Sequence, residues 1–425
     1  MRDSAGIPEK NEELIYDWNR LDVVAPLTTK KIDLFDESLR DGLQSPSVAD
    51  PDIEEKLRIV QLMADLGIAA ADVGLPCAGQ RAYDDVTAIA KYVRDNKLDL
   101  RVCAAGRTMP SDMAPIADIQ QKTGVQLTAY AFIGSSPIRQ YAENWSLDHI
   151  LKVSADAIDF CVKENLDVCY VTEDTTRSSP VALDKLFRNA IDHGASRLCL
   201  CDTVGHATPD GVRRLIQWTQ ALIRGMGADV KIDWHGHNDR GLAVVNTLFA
   251  LEYGADRIHG TAMGIGERVG NTAIDQLLMN LKLLGAIDWD LTKLVEYVET
   301  VAAATKQPIP VNYPLVGGDA FRTATGVHAA AIIKAKRRGD DWLADRVYSA
   351  VPAGEFGRDQ LIEVGPMSGM SNVGWWLESH GEPVDEALCK FLLGKAKASE
   401  RTLSEADIRA AIAEFRSGAT AATGT

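Results

Sequence analysis

Two histidines stand one residue apart in His235-Gly236-His237-Asn238-Asp239, where an apolar run from Asp229 to Trp234 ends. On an extended strand residues i and i+2 project to the same side, so both imidazoles can reach one divalent cation, which then needs oxygen ligands from elsewhere in the chain. Two other strand-like runs end in polar clusters that can supply them. Lys31 to Phe35 leads into Asp36-Glu37-Ser38-Leu39-Arg40-Asp41-Gly42-Leu43-Gln44, and Arg257 to Ala262 leads into Gly264-Ile265-Gly266-Glu267-Arg268-Val269-Gly270-Asn271. Three polar clusters at three strand ends describe one site. Asp41 and Asn271 are its candidate oxygen donors beside His235 and His237, a set suited to Mn, Zn, Co or, less comfortably, Mg.

The elements that must bring these clusters together can be read from the alternation of the chain. Short β-branched or apolar runs fall at Lys31–Glu37, Ala70–Leu75, Leu98–Ala105, Val125–Ile133, Asp167–Thr172, Arg197–Asp202, Asp229–His235 and Arg257–Met263. Between them, Asp52–Leu66, Tyr83–Asp95, Leu147–Glu164, Ala182–His193, Pro209–Met226, Leu242–Tyr253 and Ala273–Leu284 carry apolar residues at helical spacing, and Gly67, Gly194 and Gly254 mark helix ends. Eight strands alternating with helices predict an α/β fold, a (β/α)8 barrel over residues 31–290. An N-terminal extension of 1–30 precedes it. A Pro- and Gly-marked linker at Gln307–Gly318 and a small, mainly helical subdomain complete 291–425, with a frayed end from Gly418 to Thr425.

In such a barrel the C-terminal strand ends share one rim, where active sites of this fold lie. Asp36, Arg40, Asp41, Arg107, Tyr130, Arg139, Glu173, Asp174, Thr203, the histidine pair and Asn271 all fall there. Singly, a strand-end Asp or Thr caps a helix and an Arg pairs with it. Jointly they converge.

Composition is consistent with that reading. A net charge of −15 argues against a nucleic-acid partner, and no window of about 18 apolar residues suggests a membrane span. The start Met1-Arg2-Asp3-Ser4-Ala5-Gly6 lacks a signal-like apolar run, so a soluble cytoplasmic protein is expected. The seven cysteines include no C-x-x-C pair, and Cys199 and Cys201 alternate with leucine as small buried hydrophobes would.

The three rim clusters resemble the three signatures of the DRE-TIM metallolyase superfamily. Glu173-Asp174-Thr175 with Arg177, and Asp202-Thr203-Val204-Gly205 with Thr208-Pro209, resemble further motifs of its 2-isopropylmalate, homocitrate and citramalate synthase branch. The resemblance spans about residues 31 to 370. It implies an enzyme that joins an acyl-CoA, usually acetyl-CoA, to a 2-oxo acid in a Claisen-type condensation followed by thioester hydrolysis. It makes Asp41, His235 and His237 ligands of a divalent metal, with Asn271 a fourth. Arg40 would donate to the reacting oxygen, Thr203 to the substrate carboxylate, and Gln44 would touch either substrate. Glu173 would contact the oxo-acid side chain or the thioester end. His328 and Tyr348 of the helical subdomain match the family's base pair, often supplied across a homodimer.

The chain also departs from the family's pattern. Leu43 replaces the acid many synthases carry, as in hydroxymethylglutaryl-CoA lyases, whereas Gly266-Glu267-Arg268 replaces the lyase Gly-Cys-Pro sequence. Tyr130 stands where related synthases commonly have histidine, and Thr323 replaces a further one. Ile138-Arg139-Gln140-Tyr141 resembles the homocitrate synthase loop whose arginine clamps a distal carboxylate, so Tyr130 and Arg139 are the expected specificity residues. The regulatory domain of leucine-inhibited synthases is not expected here. A carbon–carbon lyase is the nearer alternative and a non-catalytic metal-binding scaffold the farther one.

Overall fold

The computed structural model describes residues 14, 15, 17, 19 and 31–423, with side chains to 418. The expected extension over 1–30 therefore lies almost wholly outside the described residues. Eight parallel strands close into a barrel in sequential order: β1 (Leu34–Asp36), β2 (Ala70–Asp72), β3 (Arg101–Arg107), β4 (Thr128–Gly134), β5 (Asp167–Glu173), β6 (Arg197–Asp202), β7 (Lys231–Gly236) and β8 (Arg257–Gly260). β1 shuts the ring against β8, with Phe35 opposite His259 and Asp36 opposite Gly260.

Each strand lies within two or three residues of its predicted span or inside it. β2 and β8 are shorter than predicted because their last residues leave the ladder to form the rim, whereas β1 loses Lys31–Asp33 at its start and Glu37 at its end. The helix Pro110–Thr123, between β3 and β4, is absent from the sequence reading. Pro110 at its first position is compatible with a helix start, but Pro115 removes an interior N–H donor and blurs the helical pattern. A second unread helix, Pro137–Glu143, spans only two turns and buries no residue, so it leaves no apolar stripe to detect.

Inside the barrel, Ala70, Cys103, Ala105, Cys169, Cys199 and Cys201 pack against Phe35 and Tyr130. Small residues on four strands leave room for large ones on two others, as close packing of a tapering interior requires. All seven cysteines are free thiols, and burial pushes Cys103 up to about 12. Charged side chains share this interior with the apolar ones. Asp233 Oδ1 accepts from Arg197 Nε at 2.7 Å, and its Oδ2 accepts from the Tyr130 hydroxyl at 2.8 Å.

Among the described residues the barrel unit runs to Ile309, beyond the 290 expected. The helix Leu294–Thr305 belongs to it, since Tyr297 is fully buried and its hydroxyl donates to Asp36 Oδ2 and lies 3.1 Å from Ser38 Oγ. The division between units falls inside the Pro- and Gly-marked stretch. The second unit, holding Pro310–Thr425, is mainly helical with a two-stranded parallel ribbon of Arg322–Thr323 and Leu361–Ile362. One of its cores joins Val373, Trp376, Leu377, Leu388, Leu392, Ile408 and Ile412. Its last helix, Glu405–Thr423, carries helical backbone through most of the stretch expected to fray. No helix among the described residues is long and apolar enough to cross a membrane.

Burial, only partly offset by the Tyr297 and Ser38 hydrogen bonds, raises Asp36 from 3.8 to about 6. A raised carboxyl pKa gives stability that is complete below the unfolded value and lost as pH rises through the folded one. Asp36→Asn removes that dependence. In urea unfolding, the stability of the variant relative to the natural protein should rise by about 2–3 kcal/mol between pH 4 and pH 7; a constant difference would refute the assignment.

Candidate functional site

The rim site begins with the turn after β1. The Glu37 carbonyl accepts from both Arg40 N, at 3.1 Å, and Gly42 N, at 3.0 Å, which folds Asp41 back over the strand end. On β7 the period-two alternation points His235 inward, and His237 follows one bridge later, paired with Asn271. The Gly264–Asn271 loop closes tightly enough to present Asn271 because glycines permit it. Gly270 adopts φ 93°, and a Cβ there would lie 1.8 Å from the Gly264 carbonyl oxygen; a Cβ on Gly266 would lie 2.2 Å from Asn271 Nδ2.

Asp41 Oδ2 lies 3.5 Å from His237 Nε2 and 3.7 Å from His235 Nε2, all three residues being buried. These are close to the ligand–ligand separations, about 3–4 Å, that metal bonds of roughly 2.0–2.2 Å impose. The donor set is also underemployed. Asp41 Oδ2 and Asn271 Oδ1 are buried acceptors without a hydrogen-bond partner, and a divalent cation is what two such oxygens beside two imidazoles would accept. Asn271 is held for this by Nδ2 donating to the Ile265 carbonyl at 3.1 Å.

Arg40 ties the acids together. Its Nε donates to Asp72 at 2.8 Å, one terminal nitrogen to Asp41 at 3.0 Å and the other to Glu37 at 2.8 Å. Burial raises Asp72 to about 6 despite that bond. Glu37 is equally buried, but His235, His259 and Arg40 outweigh the desolvation and hold its carboxyl well below the usual range. Burial by itself would lower His235; Glu37, bonded to Nδ1 at 2.6 Å, overrides it and raises the imidazole to about 10. For His237 burial and the charge of His235 act together and lower it to about 4.

A cavity of about 110 Å³ opens onto this cluster, lined by Arg40, Asp41, Gln44, Glu173, Thr203, His235 and His237 on its polar side and by Ala105, Phe132 and Val171 on its apolar side. Thr203 Oγ1 accepts from Asp174 N at 2.8 Å, which leaves its proton to donate into the cavity. Glu173 is pushed up by burial. Tyr130 contributes to the wall, but its hydroxyl is committed to Asp233 and Arg257, so it offers no polar group to a ligand. Arg139 is not among the lining residues; it pairs with Glu143 at 2.9 Å and approaches Glu173 at 3.8 Å. Arg107 likewise pairs with Asp112 at 2.6 Å. His328 and Tyr348 belong to the second unit, where their rings stack at 4.0 Å.

Sequence reasoning gave no role to Glu37, Asp72, Asp233 or His259. Alternation held the signal for Asp233, which lies two residues before His235 and faces the same interior. Nothing local marks Asp72 or His259.

The family model described as HMGL-like matches residues 31–301. The chain belongs to the HMGL-like family. It is 30% identical over 370 residues to a probable 2-isopropylmalate synthase of Methanopyrus kandleri, covering 86% of this chain and 69% of that protein. A homocitrate synthase of the same organism, AksA, is 30% identical over 368 residues, covering 86% of this chain and 87% of its own length. Among solved structures, a Bacillus subtilis HMG-CoA lyase superposes with a TM-score of 0.56 at 21% identity, over 67% of this chain and 97% of the lyase, a likeness of fold.

Chelator-treated protein should gain thermal stability on addition of Mn²⁺ or Zn²⁺, by about 2.7 kcal/mol at a hundredfold excess over Kd. His237→Ala should show no such gain in a differential scanning melt, and a full metal response in that variant would remove His237 from the ligand set.

Proposed function

We propose that this chain condenses the acetyl group of acetyl-CoA with a 2-oxo acid and hydrolyses the resulting thioester, releasing CoA and a 2-hydroxy-2-alkyl dicarboxylate. The observation that carries the reading is the convergence of a metal-competent triad, Asp41, His235 and His237, with a triply anchored Arg40 in one small cavity. The named activities of the two synthase relatives support the same chemistry.

Asp41, His235 and His237, with Asn271, would hold the divalent cation, which when bound supplies Lewis acidity toward the carbonyl and carboxylate oxygens of the oxo acid. Arg40 is fixed by three carboxylates, so its N–H groups meet the oxygen that gains charge without reorganising. Thr203 and Gln44 donate to the substrate carboxylate from the same wall. Glu173, raised by burial, retains a proton more readily than an ordinary glutamate and can hydrogen-bond an acyl oxygen. The imidazoles that line the cavity, His235 and His237, both face Asp41, and His259 beneath them lies between carboxylates. The resemblance to the synthase branch gives the proton of the acetyl methyl group to His328, on whose ring Tyr348 stacks.

The cavity also bears on the oxo acid. Ala105, Phe132 and Val171 give it an apolar side, Arg40 is the one arginine or lysine among its described lining residues, and Arg139 is engaged with Glu143. That favours an uncharged, apolar side chain over a second carboxylate.

Thiol release from acetyl-CoA by metal-loaded protein, measured against pyruvate, 2-oxoisovalerate, oxaloacetate and 2-oxoglutarate, tests this. Release is expected with a monocarboxylic oxo acid and none with His235→Ala. Arg40→Lys replaces a three-pronged donor by a point charge and should lower kcat by about 10²–10³. Silence across the panel together with cleavage of a 3-hydroxyacyl-CoA would overturn the reading in favour of a lyase.

A further inference from the structure

We infer that His259 and Asp233 are positioning residues for the metal-holding imidazole of His235, acting on it through Glu37. The inference rests on the metal reading above and concerns residues that neither the motifs nor the condensation chemistry accounts for.

The four side chains form a continuous buried line across adjacent strands β7, β8 and β1. Asp233 Oδ2 lies 3.2 Å from His259 Nε2, His259 Nδ1 lies 3.3 Å from Glu37 Oε1, and Glu37 Oε2 bonds His235 Nδ1 at 2.6 Å. His235 Nε2 then faces Asp41. Glu37, Asp233 and His259 are each 0–1% exposed, so water does not substitute for any link. A ring has two degrees of freedom to lose here: its rotation about χ2 and the choice of which nitrogen carries hydrogen. A carboxylate oxygen held against Nδ1 settles both, so that Nε2 is the nitrogen directed at Asp41 and the one a cation would take when it displaces the proton.

Glu37 can do this only if its own carboxylate cannot turn. Arg40 grips Oε1 from the rim at 2.8 Å, a hold that by itself would let the group swing toward solvent and stretch the bond to His235. His259 opposes that swing from inside the barrel by electrostatic attraction, its buried Nδ1 making no hydrogen bond but lying 3.3 Å from Oε1. His259 is in turn fixed by ring packing on Phe35, with centroids 4.4 Å apart, and by Asp233, which Arg197 and Tyr130 anchor independently. The metal-holding residue is thus braced by the charged side chains of the barrel interior.

If His259 merely filled space, a ring of similar size would serve. His259→Phe keeps the packing on Phe35 and removes both nitrogens, while Asp233 retains Arg197 and Tyr130. His259→Gln restores one polar group at the same depth. Mn²⁺ affinity of all three proteins is measured by calorimetry, with the melting temperature of each metal-free protein recorded alongside. The expected result is a 10–100-fold weaker Kd for His259→Phe, partial recovery in His259→Gln, and a loss in kcat greater than any change in KM for the oxo acid. Equal Mn²⁺ affinity in a folded His259→Phe protein would overturn the proposal. So would unchanged affinity in His259→Gln if the Phe variant does not fold, because the Gln side chain cannot reach Asp233 and Glu37 together. Absence of Mn²⁺ or Zn²⁺ binding by the natural protein would sink the metal reading itself, and this inference with it.

Discussion

Four carboxylates, those of Asp36, Glu37, Asp41 and Asp72, lie at least 96% buried at the ends of two neighbouring strands. Charges of one sign cannot share a low-dielectric pocket unless cations or hydrogen-bond donors compensate them, and the rest of the rim is arranged to do so. Arg40 answers three of them, His235 and His259 answer Glu37, and Asp36 takes the hydroxyl of Tyr297 from a helix far along the chain. The compensation is uneven: Asp36 and Asp72 rise to about 6 while Glu37 and Asp41 are held down. The two acids held down are Asp41, which faces both imidazoles, and Glu37, which bonds the Nδ1 of His235. A site built this way has electrostatic room for a divalent cation and for an oxygen that becomes negative during reaction.

Barrel geometry explains why such a site can be assembled from residues more than 200 positions apart. Every strand delivers its C-terminal end to the same rim, so adjacency around the ring replaces adjacency in sequence. β1 and β8 close the ring, and Asp36 and Glu37 meet Gly260 through that closure rather than by any local preference. Interior packing has a chemical consequence as well. Alanine and cysteine on β2, β3, β5 and β6 leave space for Phe35, Tyr130, Arg197, Arg257 and His259, and this lets charged side chains share the interior. In many barrels that volume would be filled with aliphatic side chains. Here it supports the site.

Much of this was legible before any coordinates. Period-two alternation, helix-ending glycines and eight repeats of strand then helix determined the barrel, and the polar clusters at three strand ends determined which residues share a rim, because both follow from short-range stereochemistry. The clusters also marked Asp41, His235, His237 and Asn271, whose spacing needs no knowledge of distant neighbours. Only the tertiary structure decided what the remaining polar residues do. Tyr130 and Arg139 carried side chains suited to substrate recognition, yet one hydroxyl is drawn inward by Asp233 and Arg257 and one guanidinium outward by Glu143. His259 and Asp72 looked like ordinary strand residues, and their weight arises from carboxylates and imidazoles contributed by other strands. A side chain's type states what it can bond, but the partner that claims it is set by burial and by which long-range neighbour arrives, and one strand's sequence holds neither.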